Sequence, residues 1–122
     1  MVASVARDLA DAYISVCYVR AAELERAVRD YAEQALPRRL LYLDRFIAAR
    51  DWIAADRPSS VDFLVYEIVE QHRALVPDVV SPFTALAEFG ARIEALPQIR
   101  AYLDSNRCIR WPINNRMASF GG

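Results

Sequence analysis

Apolar residues recur at intervals of three and four along most of this chain, and this spacing constrains the fold more than any other feature. The pattern is clearest near the start, where one stripe contains Val5, Leu9, Tyr13, Val16 and Cys17. Such spacing places apolar side chains on one face of a helix. No segment alternates apolar and polar residues with a period of two for the length of a strand. The sequence therefore predicts an all-α protein.

Prolines mark where the predicted helices break. After a first helix over residues 1–20, a second is predicted over residues 23–49, interrupted at Pro37, because proline lacks the amide N–H that a helix interior requires. A third helix follows Ser59 and is predicted to end at Pro77.

Two further helices are also marked by prolines. Ser81 can cap a fourth helix with Pro82 in its first turn, and Pro97 opens a short fifth helix. Residues from about 106 to 122 show no periodicity and are predicted to form an extended tail. We therefore expect one domain over residues 1–122, a bundle of about five helices with an extended tail.

One helix start carries a specific local motif. Ser59 precedes Asp62 by three residues, the order of a capping box in which each side chain accepts a backbone N–H of the first turn. The motif predicts a structural role for both residues, with a cost on the order of 1 kcal/mol when the cap is lost.

Charge and hydropathy exclude several classes of partner. The 15 basic and 16 acidic residues give a net charge of −1, which provides no long-range attraction for nucleic acid or an anionic membrane. No apolar run approaches the roughly 20 residues that span a bilayer, and charges appear too early for a secretory signal. We expect a soluble, cytoplasmic protein without nucleic-acid or membrane partners.

The residues that usually carry metal or nucleophile chemistry are few. Cys17 and Cys108 lie far apart and are expected to be reduced thiols. His72 is the only histidine and is expected to lie partly exposed on a helix, so no metal site and no Ser-His-Asp triad is predicted. From these residues alone, the chain is an interaction or scaffold domain.

The order of several segments nevertheless resembles a known family. These segments are LPRRLLYLDRFI, SSVDFLVYEIVEQH, SPFTALAEFGARIEALPQIRAYLDS and WPINNRMASFGG, and they extend over most of the chain. Together they resemble the C-terminal helical domain of cytosolic glutathione transferases, most closely the Mu class, with likeness to Pi and Sigma. In that family the aspartate of the capping box, here Asp62, is a folding determinant.

The resemblance implies an enzyme with a second domain. A thioredoxin-like N-terminal domain would bind reduced glutathione, the co-substrate, and would hold the residue that activates its thiol. The complete enzyme would be a homodimer that adds glutathione to hydrophobic electrophiles, a detoxification reaction without a cofactor or metal. No catalytic residue is expected in this chain, which is taken to lack that domain and to be inactive or nearly so alone.

The resemblance also assigns roles to individual residues. Asp8 matches an aspartate that reaches across the dimer to the α-amino group of glutathione; the alternative is an ordinary exposed aspartate near a helix N-terminus. Tyr18 matches a tyrosine whose hydroxyl faces the electrophile; the alternative is an aromatic side chain packed at a helix end. Asn114 and Asn115 occupy the part of the tail that covers the substrate pocket.

A second hypothesis is a stand-alone helical module for protein interaction, without catalysis. In the family, the faces around Ala12, Ser15 and Tyr66 lie against the thioredoxin-like domain. A specialised module should be polar there, whereas one half of an enzyme should be apolar and prone to associate. The apolar residues Val65, Tyr66 and Val69, set against Ser15 and Glu67, favour the half-enzyme.

Overall fold

Residues 2–122 are described by a computed structural model, and within them all regular structure is helical. The elements in chain order are α1 (Val2–Cys17), a 3₁₀ turn (Ala21–Glu23), α2 (Leu24–Glu33), α3 (Ala35–Ala48), α4 (Ser60–Leu75), α5 (Pro77–Val80), α6 (Thr84–Glu94) and α7 (Pro97–Leu103). The all-α prediction is confirmed. These residues form seven α-helices in place of the expected five or so, because the predicted second helix is divided into α2 and α3 and a short helix, α5, lies between the predicted third and fourth helices.

The break in the predicted second helix lies upstream of its proline. Gln34 adopts φ −102° and ψ −94°, which ends α2 and starts α3 at Ala35. Pro37 therefore lies in the first turn of α3, where its missing N–H costs little. A continuous helix would press the proline ring against the carbonyl of Glu33, four residues earlier.

The predicted end of the third helix near Pro77 agrees with the structure, but the predicted start of the fourth helix at Ser81 and Pro82 was wrong. Pro77 follows the end of α4 and begins the four-residue α5, and Val76 between them leaves the helical conformation with φ −138° and ψ 67°. Ser81 and Pro82 close a turn in which the Phe83 N–H donates to the Val80 carbonyl at 3.1 Å. The next helix consequently begins at Thr84, with Phe83 at its N-cap position.

Four helices supply most of the core. α1 packs against α3 and α4, and α6 packs against the same two helices. The largest fully buried side chains are Tyr13, Phe89, Leu9, Leu36, Leu40, Leu43, Ile47, Leu86 and Ile93. This arrangement leaves one side of α1 and α4 facing outward, where the candidate site lies.

His72 is fully buried in α4, so the expectation of a partly exposed histidine was wrong. Its Nδ1 lies 2.8 Å from the Ile68 carbonyl oxygen, and its Nε2 lies 2.7 Å from the Tyr31 hydroxyl. Because a carbonyl can only accept, Nδ1 carries the proton and Nε2 accepts from Tyr31. Both ring nitrogens are thus satisfied by a neutral imidazole.

Stability should fall in mild acid because of this histidine. Burial lowers the pKa of His72, whereas an unfolded histidine binds a proton near pH 6.5. The unfolded chain then binds more protons, so stability present above about pH 6.5 is lost as the pH falls through the lower folded pKa. We expect the urea midpoint to decrease steadily between about pH 7 and pH 5.

A His72→Phe variant is the control for this titration. It keeps an aromatic ring beside Tyr13 and Tyr31, the two tyrosines that contact the imidazole, but it cannot titrate. The variant should be less stable at pH 7 and should lose most of the dependence on pH. If the urea midpoint of the variant depends on pH as strongly as that of the wild type, the acid sensitivity comes from the carboxylates instead.

Candidate functional site

A groove of about 430 Å³ lies between α1, α4 and the tail. Its lining comes from α1 and the residue directly after it (Ala10, Tyr13, Ile14 and Tyr18), from α4 (Leu64, Glu67, Ile68 and Gln71) and from the tail (Ile113, Asn114 and Asn115). Three of the predicted site residues, Tyr18, Asn114 and Asn115, are thus brought together. The two chain segments that meet here are about 100 positions apart in sequence.

The tail contains no helix and folds back onto the C-terminal end of α1. The N–H groups of Ser119 and Phe120 donate to the Cys17 carbonyl at 2.7 and 3.3 Å. The Ser119 hydroxyl donates to the Val19 carbonyl. Carbonyls at the end of a helix have no partner within it, so the tail supplies the missing donors.

Within the tail, residues 113–121 form a closed loop. The N–H groups of Ile113 and Asn114 both donate to the Gly121 carbonyl at 2.8 Å. Gly121 has φ +75°, and a Cβ at this position would lie 2.8 Å from the Asn114 Nδ2 atom. Glycine is therefore required here for both its backbone angle and its lack of a side chain.

Asn114 connects this loop to α1. Its Nδ2 donates to the Tyr13 hydroxyl at 2.9 Å and to the Phe120 carbonyl at 2.8 Å. Burial raises the pKa of Tyr13 to about 12, and the bond from Asn114 partly offsets this effect. Burial likewise raises the pKa of the nearby Cys17 thiol. Both groups are neutral at physiological pH, so the inner end of the groove is uncharged.

Tyr18 stands at the end of α1 with its side chain 40% exposed. Its hydroxyl accepts a hydrogen bond from the Asn115 backbone N–H at 3.0 Å. A phenol has one hydrogen to donate and also accepts, so this bond leaves the hydroxyl proton available for a ligand. An N–H that donates into the oxygen also polarises the hydroxyl and strengthens it as a donor.

The groove walls combine apolar area with few polar groups. Ile14 and Leu64 are 55% and 49% exposed, unusually high for large aliphatic side chains facing one cleft. Glu67 and Gln71 provide the polar positions along α4. The arrangement suits an apolar molecule that carries one hydrogen-bond acceptor within reach of Tyr18.

The remaining predicted contacts lie outside this arrangement or at its edge. Asp8 is exposed on α1 and is not part of the groove lining. The Asn115 side chain is exposed, and its Oδ1 accepts from the Met117 N–H at 3.0 Å. The hydrogen bond from Asn115 to Tyr18 comes from its backbone N–H.

Ser59 and Asp62 form the predicted capping box at the start of α4. Asp62 is fully buried, and its Oδ2 accepts from the Ser59 N–H at 2.8 Å and from the Ser59 hydroxyl at 3.1 Å. Its Oδ1 accepts from the Ile53 N–H at 2.8 Å. The carboxylate therefore joins the loop after α3 to the first turn of α4, away from the groove.

The face expected to meet a second domain differs in detail from the prediction. Val65 and Val69 are buried in the core, so their use as exposed apolar residues was wrong. Ser15 and Glu67 are exposed, and the Tyr66 hydroxyl donates to Glu94 Oε2 at 3.0 Å. The apolar area on this side comes instead from Ile14, Leu64 and Phe63. The helical spacing of α4 had placed Leu64 in the same stripe as Val65 and Ile68, but Leu64 is half exposed.

Residues 2–122 contain no group of three or more side chains that could hold a metal ion. Cys17 is buried and Cys108 half-buried, and both are free thiols. Among the same residues, no helix is both long and apolar enough to cross a bilayer.

Comparison with known proteins defines the class. The family model described as "Glutathione S-transferase, C-terminal domain" matches residues 7–106. A solved structure titled "Crystal structure of the gluthatione S-transferase Blo t 8" superposes with a TM-score of 0.84 at 25% identity, over 98% of this chain and 56% of that chain. The chain belongs to the glutathione S-transferase C-terminal domain family.

Curated relatives identify the Mu class within it. Identity is 38% over all 122 residues with the class-mu 26 kDa isozyme 51 of Fasciola hepatica, covering 55% of that protein. It is 35% over 109 residues with glutathione S-transferase Mu 1 of Oryctolagus cuniculus, and 37% over 108 residues with Mu 3 of Homo sapiens. These cover 89% and 88% of this chain but only 49% and 47% of the relatives. The chain thus spans about half the length of the relatives it matches.

Proposed function

We propose that this chain is the electrophile-binding half of a Mu-like glutathione transferase that conjugates reduced glutathione to hydrophobic electrophiles. The observation that carries the proposal is the groove itself, in which a polarised Tyr18 hydroxyl faces apolar walls. In this assignment Tyr18 donates to charge that develops on the electrophile during addition. Asn114 and Asn115 form the side of the groove contributed by the tail.

Glutathione itself would be held mainly by residues outside this chain. The groove offers no cation near its opening for the carboxylates of the tripeptide, since Glu67 is its only charged lining residue. The carboxylate of Asp8 is exposed on α1. In a homodimer it is available to accept a hydrogen bond from the α-amino group of glutathione bound to the other subunit. The proposed location of the enzyme is the cytoplasm.

The uncovered apolar area favours this proposal over a stand-alone module. Ile14, Leu64 and Phe63 are all more than one third exposed on neighbouring turns of α1 and α4. A surface that functions in contact with water would be expected to carry polar residues there. The alternative, a non-catalytic interaction module, predicts instead a monodisperse and soluble chain without glutathione transferase activity in any context.

Joining the chain to a thioredoxin-like domain tests the function. The domain would come from a Mu relative, and conjugation of glutathione to a chloronitrobenzene would be measured for the fusion and for each half alone. We expect a dimeric, active fusion and negligible activity in both halves, because neither half holds both substrates. A folded fusion that is retained on glutathione resin but conjugates no electrophile would contradict the proposal.

A further inference from the structure

The Asn114 side chain has no N–H left for a ligand. Both hydrogens of its amide are already donated, one to Tyr13 and one to the Phe120 carbonyl. These two bonds join α1 to the last residues of the tail across the base of the groove. Asn114 lines the groove, but its donors act within the protein.

The bonds of Asn114 fix the position of the next residue. Asn115 follows directly, and its backbone N–H is the group that donates to the Tyr18 hydroxyl. The Gly121 carbonyl, which accepts from the Asn114 N–H, holds the same segment from the other side. A loop of irregular backbone has no repeating hydrogen bonds of its own, so its exact position depends on such side-chain bonds.

We propose that Asn114 is a positioning residue: its bond to Tyr13 holds the tail so that the Asn115 N–H orients the Tyr18 hydroxyl toward the groove. This inference rests on the proposed function only for the use of that hydroxyl. In this proposal Asn114 does not contact the electrophile itself but affects it through the position of the Tyr18 hydroxyl. Tyr13, which the sequence pattern marks only as a core residue, becomes the anchor of this connection.

Nuclear magnetic resonance of the 122-residue chain tests the connection without catalysis. In Asn114→Ala, the Asn115 amide should exchange its hydrogen roughly tenfold faster, the effect of losing about one hydrogen bond. The ¹³Cζ resonance of Tyr18 should move toward that of a hydrated tyrosine. Tyr13→Phe, which removes the acceptor but keeps the ring, should produce both changes in part.

Asn115→Ala is the matched control, because it removes the neighbouring amide side chain but keeps the backbone N–H. It should leave the Tyr18 resonance unchanged. Tyr31, bonded to His72 in the core, provides an internal reference in the Asn114 and Asn115 variants. If Asn114→Ala alters the fold, the Tyr31 resonance moves too, and Asn114→Leu, which keeps the branched shape but has neither donor nor acceptor, then decides. Unchanged exchange at Asn115 and an unchanged Tyr18 resonance in a folded variant overturn the proposal.

Kinetics of the two-domain fusion separate positioning from a merely structural role. If Asn114 acts through Tyr18, the loss of turnover in Asn114→Ala should disappear in a Tyr18→Phe background. Additive losses would overturn positioning. Absence of conjugation in every fusion, wild type included, would count against the proposed function, while the resonance measurements would still decide the role of Asn114.

Discussion

Tyr18→Phe in the two-domain fusion is expected to lower turnover roughly tenfold to a hundredfold for electrophiles that develop charge on an oxygen, such as enones and epoxides. The change removes one polarised donor and keeps the ring, so the shape of the groove is preserved. The lower part of the usual range is expected because Tyr18 is 40% exposed and water can partly replace it. Steady-state kinetics over a panel of electrophiles measures the effect.

Comparing turnover across substrates and variants distinguishes this role from a nonspecific disturbance of the structure. Aryl halides that place no charged oxygen near Tyr18 should react at nearly the wild-type rate. Tyr102→Phe, the same substitution at an exposed tyrosine of α7, should leave turnover unchanged with every substrate. Asp8→Asn should raise the KM for glutathione and leave electrophile selectivity unchanged. Wild-type kinetics of Tyr18→Phe across the whole panel would exclude the role given to its hydroxyl.

Asp62→Ala is expected to destabilise the chain by about 3 kcal/mol. The substitution removes the acceptor for the Ser59 and Ile53 backbone N–H groups and leaves a void beside fully buried atoms. Loss of the cap alone accounts for about 1 kcal/mol. The remainder comes from N–H groups left without a partner in the interior. Urea unfolding monitored by circular dichroism measures the change.

Two further variants separate these contributions. Ser59→Ala removes only the hydroxyl and keeps the Ser59 N–H bond to Asp62, so its cost should be near 1 kcal/mol. Asp56→Ala, an exposed aspartate in the same loop, should change stability by less than about 0.5 kcal/mol. Equal costs for Asp62→Ala and Asp56→Ala would show that the buried carboxylate has no special role.

The fold could be predicted from local signals because each depends on neighbouring residues. Helical spacing identified α1, and Ser59 with Asp62 identified the start of α4. Proline positions were less reliable as boundaries, since Pro37 fits inside a first turn and Pro82 inside a connecting turn. The burial of His72 was missed because its partner, Tyr31, lies 41 positions away.

The candidate site was predictable only through family resemblance. Resemblance placed Tyr18, Asn114 and Asn115 together, and the structure shows them around one groove. The bond between Tyr13 and Asn114 crosses 101 positions, and no periodic pattern connects residues so far apart. Tyr13 also matched a core stripe, which gave no reason to consider its hydroxyl.

The return of the tail to α1 affects when the site can form during synthesis. The first wall of the groove, α1, leaves the ribosome before its partners Asn114 and Asn115, which follow it by about 100 residues. Until residues 113–121 emerge, the end of α1, including Tyr18, lacks the donors that the tail provides. The helical core can therefore begin to assemble cotranslationally, whereas the groove is completed only when residues 113–121 leave the exit tunnel.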